Sequence, residues 1–303
     1  MMFHGSITAI ITPFKNGAID EKAFDNLIEW QIDQGTHGLV VCGTTGESPT
    51  LSDEEHARIV NRAVQVVKGR LPVIAGTGSN STSKAMEMTR HAQLAGVDAA
   101  LVVTPYYNKP TQEGLYAHYY AITQAASLPI IIYNIPGRCI VDMKTETIAR
   151  VAKTCKNIVG VKEASGDIAR VKAVLRQIGP EFIQLSGDDE SALDFLKEGG
   201  HGCISVTSNI APALCAEMQR AWQDGNPSLC GPINERLMPL HKGLFVETSP
   251  APVKYALSAM GFCTDELRLP LLPASPSARR VVDEALAACG FSSPGNEKAR
   301  AHG

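Results

Sequence analysis

The sequence predicts a closed (β/α)8 barrel, a TIM barrel, followed by a C-terminal helical extension. Two observations carry this. Short, β-rich apolar runs alternate with longer amphipathic stretches eight times over residues 1–225, and strand signals then stop. Several of the runs, such as Leu39-Val40-Val41 and Ile130-Ile131-Ile132, are continuously apolar, as strands buried on both faces must be.

The expected strands cover residues 6–12, 38–42, 72–75, 99–104, 129–133, 158–162, 182–186 and 202–206. Between them, helical periodicity covers 21–34, where Phe24, Leu27, Ile28 and Ile32 recur at helical spacing. Ser52 and Glu55 form a capping-box pattern that opens a helix to about residue 68. Further helices fall over 83–95, 112–126, 145–154, 167–177, 189–198 and 211–224. An open doubly wound sheet competes. It calls for a glycine-rich phosphate loop after the first strand, where this chain has Thr12-Pro13-Phe14. Beyond residue 225 the segments 229–244, 251–260 and 278–289 read as helices joined by proline-containing connections. Residues 226–291 therefore read as a helical region packed on the barrel, and 292–303 as a disordered tail.

Composition narrows the function classes. The 303 residues are 44% hydrophobic and 19% charged, with a net charge of −3 and no basic block, which argues against a nucleic acid or an anionic membrane as partner. No apolar run reaches transmembrane length, and the first residues lack a signal-peptide pattern, so a cytoplasmic location is expected. The eight cysteines include no C-x-x-C pair and read as packing residues or incidental thiols. The histidines are dispersed, so no metal site is expected, and no flavin or nicotinamide motif is present.

Barrel enzymes place their chemistry where strands end at the C-terminal face. Here polar residues follow apolar strands repeatedly: Gly43-Thr44-Thr45-Gly46-Glu47-Ser48, Thr104-Pro105-Tyr106-Tyr107-Asn108, Tyr133-Asn134-Ile135-Pro136-Gly137-Arg138, Lys162-Glu163-Ala164 and Gly187-Asp188-Asp189. Lys162 ends a run that belongs to a core. A lysine at an apolar rim sheds hydration, which favours the uncharged amine that attacks a ketone. A lysine whose stem packs while its head reaches water is the structural alternative. Tyr133 ends the preceding strand, about 5 Å away, so its phenol can relay protons to that amine. The turn carrying Thr44 and Thr45 offers hydroxyls and N–H groups for a small carboxylate. Arg138 can hold a second carboxylate at the mouth.

These motifs, with Gly160-Val161-Lys162-Glu163-Ala164, resemble the dihydrodipicolinate synthase/N-acetylneuraminate lyase family from Gly5 to Phe291, in matching order and spacing. Leu185-Ser186-Gly187-Asp188-Asp189 and Arg236-Leu237-Met238-Pro239-Leu240-His241 resemble its synthase branch in particular. The resemblance implies a lyase that joins pyruvate to L-aspartate 4-semialdehyde, giving 4-hydroxy-tetrahydrodipicolinate for diaminopimelate and lysine biosynthesis. It implies an imine of pyruvate on Lys162 and no separate cofactor. Tyr133, Thr44 and Tyr107 would form a proton relay, Tyr107 serving the neighbouring subunit of a tight dimer within a homotetramer. Thr45 would hold the pyruvate carboxylate, Gly187 and Ile204 would line the pyruvate site, and Arg138 would bind the semialdehyde carboxylate. An aldolase acting on N-acetylneuraminate or a keto-deoxy sugar acid is the alternative, and Arg138 argues against it. In lysine-inhibited members, residues corresponding to Ser48, His56, Asn80, Lys84 and Tyr106 bind lysine. An acid is typical where Lys84 stands and a histidine where Asp53 stands, so weak or absent inhibition is expected.

Overall fold

The computed structural model describes residues 2–291. Eight parallel strands form the barrel: β1 Gly5–Ala9, β2 Gly38–Val41, β3 Val73–Gly76, β4 Ala99–Val103, β5 Ile130–Asn134, β6 Ile158–Glu163, β7 Ile183–Ser186 and β8 Gly202–Ser205. Each pairs with its sequence neighbours, and β1 closes the ring on β8 through Ile7 opposite Ile204. Helices α1 Glu21–Asp33, α2 Asp53–Val67, α3 Thr82–Ala95, α4 Gln112–Ala125, α5 Thr145–Thr154, α6 Ala169–Ile178, α7 Ala192–Lys197 and α8 Pro212–Gln223 alternate with the strands.

The alternation of side chains along each strand divides the apolar residues into two cores. Ile7, Val40, Ile74, Leu101, Ile131, Leu185 and Ile204 fill the barrel. Leu39, Val41, Val73, Val102, Ile132 and Val161 point outward, into a larger core shared with the helices. Both faces are therefore dry, which is why these strands read as unbroken apolar runs. The capping box opening α2 is formed in full by Ser52 and Glu55.

Strand and helix ends lie within three residues of the expected ones, and the helix expected over 145–154 is found with those bounds. The expected start of α7 at residue 189 is wrong because the Asp189 carboxylate is taken by the backbone N–H groups of Val206 and Thr207, at 2.8 and 3.0 Å. The sequence reading also missed a two-stranded hairpin, Phe14–Lys15 with Ala18–Ile19. Its signal is Asn16-Gly17, both with positive φ (55° and 79°), the residue pair that a tight hairpin turn favours.

Three helices follow the barrel: α9 Pro227–Gly243, α10 Ala251–Ala259 and α11 Pro276–Ala288. Val253, Leu257, Val282 and Leu286 join them to the outer core. The boundary we propose at residue 225 falls in the turn between α8 and α9. The expected tail, 292–303, lies outside the described residues. All eight cysteines are free, and seven are buried.

Candidate active site

The strand register decides the centre of the site. Tyr133 on β5 lies directly opposite Lys162 on β6, and Asn134 opposite Glu163. Alternation sends Tyr133 into the barrel core while Asn134 and Glu163 occupy the other face. Lys162 Nζ sits 4.2 Å from the centroid of the Tyr133 ring. Lys162 is 7% exposed and Tyr133 6%, so amine and phenol meet in a nearly dry setting. Little of Lys162 as a whole reaches water.

The outward pair holds this register. Asn134 Nδ2 donates to Glu163 Oε1 at 3.1 Å and to Asp142 Oδ1 at 2.8 Å. Arg170 Nε donates to Glu163 Oε2 at 2.8 Å, and the Ser165 N–H to Glu163 Oε1 at 2.9 Å. A buried carboxylate is tolerated when its charge and lone pairs are met in this way. The sequence reading did not single out Glu163, Asn134 or Arg170.

Gly187 follows β7, and its N–H donates to Glu163 O at 2.7 Å. A Cβ at this position would lie 2.6 Å from Ala164 Cβ and 3.0 Å from Lys162 Cε, so glycine is what leaves room for the lysine stem. Ile204 is 1% exposed and packs in the barrel core with Tyr133 and Leu185.

A cavity of about 440 Å³ opens beside the pair. Gly43, Thr44, Tyr133, Ile135 and Arg138 line it, so three of the expected site residues share one space. Lys162 is not among the lining residues and contacts Tyr133, which is. Thr45 is buried, and it, Gly187 and Ile204 lie outside the lining. Arg138 stands on a single helical turn, Pro136–Cys139, and its guanidinium donates to Ser249 O at 3.3 Å. Tyr106 lines the cavity. Tyr107 does not. Its ring is 89% exposed on a residue with φ of 73°, left-handed backbone that is uncommon outside glycine.

Ser48, Asp53, His56 and Lys84 line the same cavity further out, whereas Asn80 does not. Lys84 Nζ is paired with Asp53 and lies 3.7 Å from Glu87. The hydrogen bond between the first two raises the Lys84 ammonium and lowers the Asp53 carboxyl relative to their ordinary pKa values. His56 Nε2–H donates to Gly76 O at 2.8 Å, and burial lowers its imidazole below the ordinary value. Among the described residues, no group of three or more His, Cys, Asp and Glu side chains is placed to hold a metal ion, and no helix is long and apolar enough to cross a membrane.

Comparison with known proteins agrees with this geometry. The model of the dihydrodipicolinate synthetase family matches residues 2–289. A 4-hydroxy-tetrahydrodipicolinate synthase of Rhodospirillum centenum is 60% identical over 290 residues, 96% of this chain and 99% of its own. Among solved structures, dihydrodipicolinate synthase from Aquifex aeolicus superimposes with a TM-score of 0.95 at 45% identity, covering 96% of this chain and 100% of its own. The chloride-inhibited enzyme of Acinetobacter baumannii, solved in complex with pyruvate, gives 0.93 at 46% identity, covering 95% and 99%. On the match across nearly its whole length and on the lysine and tyrosine that its barrel brings together, the chain belongs to the dihydrodipicolinate synthetase family.

Proposed function

We propose that this chain is a lyase that condenses pyruvate with L-aspartate 4-semialdehyde to 4-hydroxy-tetrahydrodipicolinate, the first committed step toward diaminopimelate and lysine. The observation that carries the reading is the buried Lys162–Tyr133 pair at neighbouring strand ends. Lys162 Nζ adds to the pyruvate carbonyl, and loss of water leaves an imine. Tyr133, relayed through Thr44, moves the protons this step requires. The protonated imine withdraws electrons, so the pyruvate methyl group loses a proton and becomes an enamine carbon. That carbon attacks the aldehyde. The amine of the second substrate then displaces Lys162 and closes the ring. The imine on Lys162 is the electron sink, so the proposed chemistry needs no added cofactor.

Thr45 and the N–H groups of its turn hold the pyruvate carboxylate in this reading, with Gly187 and Ile204 shaping the space around it. Arg138, at the cavity lining, receives the carboxylate of the semialdehyde. A polyhydroxylated sugar aldehyde carries no charge there, which disfavours a sugar-acid substrate. The A. baumannii neighbour's complex with pyruvate supports the first substrate. The exposed, left-handed Tyr107 suits a residue that completes the site of a second copy, in a tight dimer that pairs into a tetramer. The free thiols suit the reducing cytoplasm.

A coupled assay with both substrates tests the reading. Wild type turns over and Lys162→Ala does not. Arg138→Ala raises the KM for the semialdehyde while leaving capture of pyruvate intact. Mixing Lys162→Ala with Tyr107→Phe chains restores part of the rate when Tyr107 serves across the dimer. Turnover by Lys162→Ala at the wild-type rate would refute the imine.

A further inference from the structure

Only two lysines are buried among the described residues, Lys162 and Lys254. The first has chemistry to do. The second, on α10 of the C-terminal region, is 0% exposed and lies outside the cavity. We propose that Lys254 and Glu47 form a positioning pair that holds the Thr44–Thr45 turn in its reactive shape, which makes the C-terminal helices part of the active-site scaffold. The proposal rests on the roles given above to Thr44 and Thr45.

Glu47 stands three residues after Thr44, in the left-handed region at φ of 55°, where an L side chain sits only under constraint. Its N–H returns to Thr44 O at 3.1 Å, so the conformation of Glu47 and the placement of Thr44 are one problem. Glu47 is 2% exposed, and its carboxylate is held on both oxygens. One carboxylate oxygen is paired with Lys254 Nζ. The other accepts from the Arg268 N–H at 3.1 Å. Lys254 Nζ also donates to Glu266 O at 2.8 Å.

The surroundings are built around this pair. The Phe14 ring meets two cations, with Lys254 Nζ 4.2 Å and Arg268 Cζ 4.4 Å from its centroid. Arg268 reaches Thr50 O at 2.9 Å and grips both oxygens of Glu55, the residue that completes the cap of α2. Thr12 Oγ1 donates to Gly46 O at 2.7 Å. The turn is therefore anchored at Gly46, Glu47 and Thr50, on both sides of the left-handed residue. An apolar pair would fill the same volume. A carboxylate with one oxygen in an ion pair and the other on a backbone N–H also fixes the angle at which Glu47 leaves the chain, and with it the Thr44 carbonyl and hydroxyl.

The test compares Glu47→Gln, Lys254→Met and Val253→Ala with wild type. Val253 is buried on the same helix and packs in the outer core, so its variant reports plain destabilisation. Three quantities are read: the thermal midpoint, the rate of borohydride trapping with pyruvate, and kcat with KM for each substrate. We expect Glu47→Gln and Lys254→Met to slow trapping and kcat by about tenfold or more and to raise the pyruvate KM, because misplacement of about 1 Å has effects of that size. The semialdehyde KM stays within about twofold, since Arg138 is untouched. Val253→Ala lowers the midpoint and keeps kcat within about twofold. Glu47→Gln keeps the size of the side chain but sets an amide NH2 against one of the two groups that now meet carboxylate oxygens, and it carries the test by itself if Lys254→Met is recovered only as aggregate. Folded Glu47→Gln with wild-type trapping and pyruvate KM overturns the proposal, as does Val253→Ala losing kcat to the same degree. Wild type that traps no pyruvate would instead overturn the reading of Lys162.

Discussion

Gly187→Ala adds a single methyl group behind the reactive lysine. An ideal Cβ there falls 2.6 Å from Ala164 Cβ, 3.0 Å from Lys162 Cε and 3.1 Å from Glu163 O. Relaxed carbon–carbon contacts lie at about 3.5–4.0 Å, so an overlap of roughly 1 Å must be relieved. The Gly187 N–H is bound to Glu163 O at 2.7 Å, and Ala164 N–H to Asn134 O at 2.9 Å, so neither backbone retreats freely. The Lys162 stem is the softest neighbour, and its movement carries Nζ away from Tyr133. Overpacking of this kind costs about 1–3 kcal/mol. The thermal midpoint should drop by about 2–4 °C per kcal/mol lost. Displacing the amine by about 1 Å should slow imine formation by up to about a hundredfold. The assay follows borohydride-trapped pyruvate by intact mass over time, beside a melt that reports folding. A stable Gly187→Ala protein with the wild-type trapping rate would refute the reasoning, since it would show that the room around Lys162 Cε has no bearing on its chemistry.

Other consequences follow from charges and burial. Arg170→Ala leaves the Glu163 carboxylate, whose side chain is 5% exposed, without its ion-pair partner; we expect a loss of about 3–5 kcal/mol in denaturant melts, and a loss below about 1 kcal/mol would contradict the clamp. His37 and His118 are each pushed from 6.5 to about 4, chiefly by burial, with the His4 and Arg220 charges adding to it at His37. Their folded-state values lie below the unfolded one, so the unfolded chain takes up protons first. Their contribution is complete above pH 6.5 and is lost as pH falls toward 4. At most about 3 kcal/mol per group is at stake, less at the partly exposed His37. Urea midpoints should fall across that window, and His118→Gln should flatten the profile; equal slopes would remove His118 from the account. Lys84 is already paired with Asp53 in the outer cavity, so millimolar lysine should leave initial rates within about twofold. Strong inhibition would show that the pair gives way to the ligand.

The barrel was legible because its strands are dry on both faces, which produces apolar runs that no one-sided sheet would need. Strand ends were less so, because the last paired residue depends on neighbouring strands: Asn134 and Glu163 extend β5 and β6 only because they face each other. The hairpin at Asn16-Gly17 was missed despite its turn signal, since its strands are two residues long and carry no alternation. At the site, Lys162 and Tyr133 could be read from the rule that chemistry sits at strand ends. Lys254 and Glu47 could not, because sequence shows one lysine in an apolar stretch and one acid in a turn without showing that they meet. The Glu163–Arg170 contact was hidden for the same reason. Tyr107 is the reverse case: it is exposed and outside its own cavity, and the role proposed for it calls for a second copy.

One measurement bears on the reactive amine directly. Wild-type protein is incubated with pyruvate, reduced with borohydride, weighed intact and mapped by peptide mass. The account predicts one carboxyethyl increment per chain, located on Lys162 and absent from Lys162→Ala. An unmodified chain, or an increment on any other lysine, would contradict it.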